Sequence, residues 1–186
     1  MPTQNYSDEE KNYLLVLARK TIESKILRQK LKQEEPLESL MVKLSCFVTL
    51  HTANGYLRGC IGNILPIEPL YYNVIHNAEN AAFKDPRFMP LSSLEELNDL
   101  NIEISILTQP QPIRNTTEII LGKHGIILKN KGRSAVFLPQ VAPEQNWNLT
   151  TTLDHLSLKA GLSKKEWQDD KAEFQVFEAI VFSENS

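Results

Sequence analysis

The chain has 186 residues, 41% hydrophobic and 23% charged, the make-up of an ordinary globular protein with material for a sizeable core. Its formal charge of −3 at pH 7 gives no electrostatic reason to expect duplex nucleic acid as the main partner. Two cysteines exclude a disulfide framework, and no run approaches the roughly 20 apolar residues that span a bilayer.

Met1 is followed by Pro2-Thr3-Gln4-Asn5, with no basic segment leading into an apolar run. No secretory signal is therefore expected, and the compartment reads as cytoplasmic with free thiols. The sequons at Asn115 and Asn148 then carry no meaning. Ser7 before Asp8-Glu9-Glu10 predicts a helix N-cap, with acids suited to the helix dipole. Leu14, Leu17, Ala18, Ile22 and Ile26 recur at helical spacing, predicting an amphipathic helix to near Lys32, broken by Glu34-Glu35-Pro36.

Asn54-Gly55 predicts a type I′ turn in a hairpin over residues 43–62. Counting outward from a two-residue loop pairs His51 with Arg58, Leu50 with Gly59 and Thr49 with Cys60. Alternation then puts Val48, Leu50, Leu57 and Ile61 on a core face with Cys46. Thr49, His51, Arg58 and Cys60 gather on the other face. A second helix is predicted from Ile67 or Glu68, with Pro69 in its first turn, Leu70, Val74, Ala78 and Ala81 along one side, and Asp85-Pro86 as its stop. Ser93 with Glu96 resembles a capping box, and Ile102, Ile104 and Ile106 alternate as a strand.

Gln109 to Asn115, with two prolines, is the candidate connection between two lobes of a single domain over residues 5–184. Ile126–Leu128 and Ala135–Leu138 flank a turn at residues 130–133, predicting another hairpin. A helix from about Thr151 to Lys159 should end at Gly161, and residues 174–182 suggest a C-terminal strand. Helices interleaved with hairpins give an α+β class with a largely antiparallel sheet flanked by helices.

The chemistry centres on Leu57-Arg58-Gly59-Cys60-Ile61-Gly62. Cys60 is either a nucleophile favoured by the nearby guanidinium or a small core residue without reactivity. Arg58 is either an anion clamp or a surface ion-pair partner. Gly59 and Gly62 let the backbone approach a ligand or bend the strand. Thr49 and His51 share the polar face. His124 is a candidate general base for Cys60, or a loop histidine satisfied by a carbonyl. Arg87 is a second candidate anion contact, and an Asp85–Arg87 turn contact is its plainer reading. Gln140 is a candidate ligand contact, and Glu144 either contacts ligand or caps the helix that follows. Trp147 reads as packing at the lobe junction. No Cys-x-x-Cys, His-Glu-x-x-His, phosphate-cradling loop or dinucleotide fingerprint occurs, so neither metal nor cofactor is expected.

Phe47-Val48-Thr49-Leu50 followed by Arg58-Gly59-Cys60-Ile61-Gly62 resembles the signature of the AMMECR1 domain family. The likeness continues through Lys84-Asp85-Pro86-Arg87-Phe88, Ile102-Glu103-Ile104-Ser105, Gly122-Lys123-His124-Gly125-Ile126 and Leu138-Pro139-Gln140-Val141 to Lys159-Ala160-Gly161-Leu162. Asn63 departs from it, since many relatives carry Thr or Ser there. The resemblance implies a two-lobed α+β domain with a cleft near the cysteine motif. It also implies a component, system protein A, acting with Memo-like and radical-SAM partner proteins. The expected function is binding of a small anionic or carbonyl-containing ligand around Arg58–Gly62, with catalysis left open. The alternative is a non-catalytic module that recognises a peptide segment or partner protein.

Overall fold

The computed structural model describes residues 6–32 and 35–184. The expectations for Met1–Asn5 and for Glu34 lie outside them. In chain order the elements are α1 (Asp8–Ile26), β1 (Ser45–Thr52), β2 (Leu57–Gly62), α2 (Leu70–Phe83), α3 (Leu94–Asn98), β3 (Leu100–Leu107) and β4 (Gln111–Ile113). There follow β5 (Gly125–Asn130), β6 (Arg133–Phe137), α4 (Val141–Glu144), α5 (Leu149–Lys159), β7 (Glu173–Phe177) and β8 (Ala179–Ser183). The class is α+β, with two four-stranded sheets and antiparallel β1–β2, β1–β3, β4–β7, β5–β6 and β5–β7 pairs. No helix among the described residues is long and apolar enough to cross a membrane. The described residues divide into two compact units, those up to Leu107 together with those from Ile180, and Thr108–Ala179.

In the first unit the sheet order is β2-β1-β3-β8. Cys46, Val48 and Leu50 of β1 and Ile102, Ile104 and Ile106 of β3 are fully buried with Leu14, Ala18 and Ile22 of α1 and Leu70, Val74 and Ala78 of α2. Alternation in the strands and helical spacing in α1 and α2 thus meet in one core. Burial of its thiol pushes Cys46 up to about 12. The capping box at Ser7 and Glu10 forms as expected.

The first helix is shorter than its apolar spacing predicts. Leu27 caps it, and Arg28 adopts φ 54°. The Gln29 N–H donates to the Ser24 carbonyl and the Arg28 N–H to Lys25, a Schellman closure without the glycine that usually marks it. α2 begins at Leu70 with Pro69 outside it as N-cap, because the ring of Pro69 disfavours helical Glu68.

Arg19 ties three parts of this unit together. Its guanidinium donates to Glu184 at 2.5 and 2.6 Å and to the carbonyls of Leu97 and Leu100, while Glu184 also accepts the Ile102 N–H. Arg19→Met should lower unfolding free energy by about 2 kcal/mol, measured by urea denaturation, because it removes the guanidinium from a part-buried carboxylate and from both carbonyls.

In the second unit the sheet order is β4-β7-β5-β6, and Ile126, Leu128, Leu153, Leu156 and Phe174 form its core. The β5–β6 hairpin turns through Lys131 and Gly132, both at positive φ, the two-residue geometry expected instead at Asn54-Gly55. Gly161 sits at φ 72° after α5, as its C′ position requires. The two sequon asparagines cap helices: Asn115 accepts from the Thr117 N–H and Asn148 from the Thr151 N–H. Residues 173–183 form two strands in different sheets, not one. The break is Glu178, whose N–H donates to the Thr108 hydroxyl and whose carbonyl accepts the Thr108 N–H.

Candidate functional site

The β1–β2 hairpin differs from its expected form in two places that cancel. Only Gly55, at φ 80°, is left-handed in the turn; the Thr52 N–H donates to the Tyr56 carbonyl and the Gly55 N–H to Thr52. This is a three-residue loop, and it makes His51 pair with Leu57 rather than Arg58. A bulge between Leu50 and His51 then leaves Arg58 as the extra residue on β2. Register is restored at Leu50↔Gly59 and Thr49↔Cys60.

Each residue of the Arg58–Gly62 motif has a task in the fold. The Arg58 Nε and Nη2 donate to Glu96 at 3.0 and 2.7 Å, and Nη2 also donates to the Met89 carbonyl. Its Nη1 is buried without a hydrogen-bond partner. Glu96 in turn accepts the Ser92 N–H, so the predicted Ser93–Glu96 box is half formed and its carboxylate serves Arg58. The space left by Gly59 is taken by the carbonyl of Ala81 in α2, and that of Gly62 by the Phe47 ring and the Cys46 carbonyl. Both glycines admit the protein's own atoms rather than a ligand.

β2 is a sheet edge, and at Cys60 that edge is closed by side chains. Asp85 accepts the Cys60 N–H at 2.9 Å, and Arg87 Nη2 donates to the Cys60 carbonyl at 3.2 Å. Arg87 Nε and Nη2 grip Asp85 at 3.0 and 2.7 Å. These two residues supply the hydrogen bonds that another strand would, a protection edges commonly need. The Arg87 guanidinium holds the Asp85 carboxyl well below the usual carboxylate range, against its burial and with help from the Cys60 N–H. The Asp85 side chain is 1% exposed, whereas Arg87 is 54% exposed and packs over Phe88.

Side chains on the polar face then line up in register. Thr49 Oγ1 donates to Cys60 Sγ at 3.3 Å, and Thr49 is opposite Glu103 on β3. His51, two residues along, brings Nε2 to 4.0 Å from Glu103 Oε1. Glu103 was absent from the sequence-based candidates. The inward alternation of Ile102, Ile104 and Ile106 already turns it outward, but its neighbours depend on β1–β3 pairing. A second omission is the asparagine cluster on the helix side: Asn73 accepts the Cys46 N–H, and Asn77 donates to the Cys46 carbonyl and to Asn63. Asn63, the departure from the family pattern, accepts from both Asn73 and Asn77.

The remaining candidates belong to the second unit. His124 Nδ1 accepts the Ile120 N–H at 3.2 Å, which selects the tautomer with its proton on Nε2 and leaves no free lone pair for a thiol proton. Gln140 is exposed at the start of α4, and Glu144 is exposed at its end; Asn148, not Glu144, caps α5. Trp147 stacks on His155 at 4.1 Å and packs against Phe137. Among the described residues, no three His, Cys, Asp or Glu groups gather as a metal site.

The AMMECR1 family pattern matches residues 15–182. A Methanopyrus kandleri protein is 39% identical, with 95% of this chain and 89% of its own length covered. A Methanosarcina barkeri protein is 40% identical, with 96% and 92% covered. The crystal structure of an uncharacterized Pyrococcus horikoshii protein superposes with a TM-score of 0.81 at 35% identity, covering 96% of this chain and 93% of that one. Family pattern, sequence and fold agree along nearly the whole length, and the chain belongs to the AMMECR1 family.

Proposed function

We propose that the chain binds a small anionic or carbonyl-containing ligand on the polar face of its first sheet, with Cys60 and Arg87 at the centre. One observation carries this reading. In the Arg58–Gly62 motif Arg58 is held by Glu96, and both glycines and the Cys60 backbone are packed or bonded within the fold, while the half-buried Cys60 thiol takes one hydrogen bond, from the Thr49 hydroxyl. Beside it Arg87 is locked by Asp85 through Nε and Nη2, which leaves Nη1 uncommitted among the described residues. A cation fixed in advance binds an anion without first losing side-chain freedom. Arg87 therefore replaces Arg58 as the principal anion contact.

The family resemblance supports Memo-like and radical-SAM proteins as partners, and the two free cysteines support a cytoplasmic setting. Recognition without chemistry has one observation in its favour: Tyr56, Leu57 and Met89 stand exposed next to Arg58, as a peptide-docking surface would.

The test is a comparison of two thiol reagents, anionic iodoacetate and neutral iodoacetamide. Cys46 is fully buried and stays silent. The rate ratio of iodoacetate to iodoacetamide at Cys60 should exceed that of free cysteine by about fivefold at low salt, and fall toward it in Arg87→Gln and at high salt. A ratio equal to that of free cysteine, unmoved by Arg87→Gln, would refute an anion site at Cys60.

A further inference from the structure

We propose that the edge of β8, with the groove between it and α1, takes an extended apolar segment of a partner protein as a fifth strand of the first, four-stranded sheet. This surface stands at the opposite edge of that sheet from the Cys60 motif.

The sheet order β2-β1-β3-β8 leaves two edges, and they differ. Asp85 and Arg87 close the β2 edge at Cys60. β8, Ala179–Ser183, carries neither proline nor a charged residue, the common protections of an exposed edge. At one end of the β3–β8 ladder the Thr108 N–H donates to the Glu178 carbonyl, and at the other the Glu184 N–H donates to the Ile102 carbonyl. These bonds run in opposite chain order, so the pair is antiparallel. Alternation between them turns the backbone groups of Ile180 and Phe182 toward β3 and those of Val181 away from it. Val181 is 56% exposed.

A groove of about 720 Å³ follows this edge on the helix-covered face, between α1 and residues 181–184. Leu15 and Phe182, both buried, and the half-exposed Val16 give it apolar walls. Its charged groups balance. Lys11 pairs with Asp8 and Arg19 with Glu184, while Lys20 and Glu23 add one charge of each sign. A net charge laid there would meet no excess of the opposite sign, so the groove complements an uncharged segment. An extended chain meets both features: its backbone pairs with β8 at Val181, and its alternate side chains enter the groove. A second copy of β8 does not fit, because its Phe182 is buried and its Ile180 packed in its own core, leaving no side chains for the groove. The occupant is a strand without helical cover of its own, apolar at every second position.

The experiment titrates the full chain against a fluorescein-labelled peptide, Thr-Val-Thr-Val-Thr-Val-Thr, and follows fluorescence anisotropy. Saturable binding is expected, and Val181→Pro should weaken it by about tenfold or more. Proline is tolerated there because the N–H it removes points away from β3, so the circular dichroism should be unchanged. Val16→Lys should weaken binding about fivefold by setting a charge in the groove. Leu158→Ser, exposed on α5 of the second unit, should leave it unchanged. Peptides N-methylated on alternate amides should lose binding in one phase and keep it in the other, as pairing along one side of a strand requires. Should Val181→Pro fail to fold, Val16→Lys and the methylated peptides decide the matter. No saturable binding up to about 1 mM, or equal binding by a folded Val181→Pro chain, overturns the proposal. So does a dimer in analytical ultracentrifugation that Val181→Pro dissociates, since β8 would then pair with itself.

Discussion

Gly59→Ala should lower the unfolding free energy by about 3 kcal/mol. A β-carbon there would stand 2.3 Å from the Ala81 carbonyl oxygen and 3.2 Å from its carbonyl carbon, both in the backbone of α2. A flexible side chain could swing aside from such a contact. A helix backbone packed against a sheet can yield only by moving the helix, and with it the buried Val74 and Ala78. Urea denaturation should show a lower midpoint with an unchanged slope. Gly55→Ala is the control: open space surrounds it, and only its φ of 80° opposes a side chain, at a cost of about 1–2 kcal/mol. Equal losses at the two positions would mean that α2 does not press on β2.

The second large effect is expected at Asp85. Breaking a fully buried ion pair costs about 3–5 kcal/mol. Asp85→Asn should cost less, about 2–3 kcal/mol, because Arg87 keeps one face in water and can rehydrate. The pH dependence follows from the same contact. The carboxyl is held below its ordinary value in the folded chain, so its contribution is complete above the unfolded carboxylate pKa of about 3.9. It is lost as the pH falls from there toward the depressed folded value. Stability should therefore drop steeply below about pH 4, and Asp85→Asn should flatten that acid limb while lowering the plateau above it. Parallel acid limbs for the two chains would show that Asp85 is not the controlling carboxylate. Since Asp85 also accepts the Cys60 N–H, the variant should change alkylation at Cys60 as well.

Both predictions concern residues whose importance the sequence marks but whose role it does not. Gly59 and Asp85 each stand in a short conspicuous motif. Gly59 suits either a ligand or a helix as its close neighbour, because a missing β-carbon does not say what fills the space. Asp85 with Arg87 suits an ordinary turn contact, which they do make. Their second task, closing the β2 edge at Cys60, requires β2 to be an edge and the loop after α2 to reach it. Neither condition is local.

The hairpin shows how a local rule can miss its geometry and still place the site. Asn-Gly favours a two-residue turn, but here Asn54 stays out of the left-handed region and the loop takes three residues. The bulge at Arg58 absorbs the difference, so Thr49 still meets Cys60. His51 and Arg58, nearer the turn, do not meet. Arg58 instead goes to Glu96, 38 positions on, a partner that no spacing rule connects to it.

By itself, the sequence determined what depends on neighbours along the chain. Apolar alternation in β1 and β3, helical spacing in α1 and α2, and the cap at Ser7 specify the elements, their buried faces and the α+β class, because periodicity and capping act over a few residues. Family membership was legible for a related reason, since its motifs are short and occur in order. Tertiary structure alone decided how those motifs are used. It spent Arg58 on Glu96, gave the glycines' space to Ala81 and Phe47, and locked Arg87 to Asp85. Each of these depends on which strands pair and which loop reaches an edge, and such contacts are selected by packing of the whole unit rather than by the preferences of any one segment.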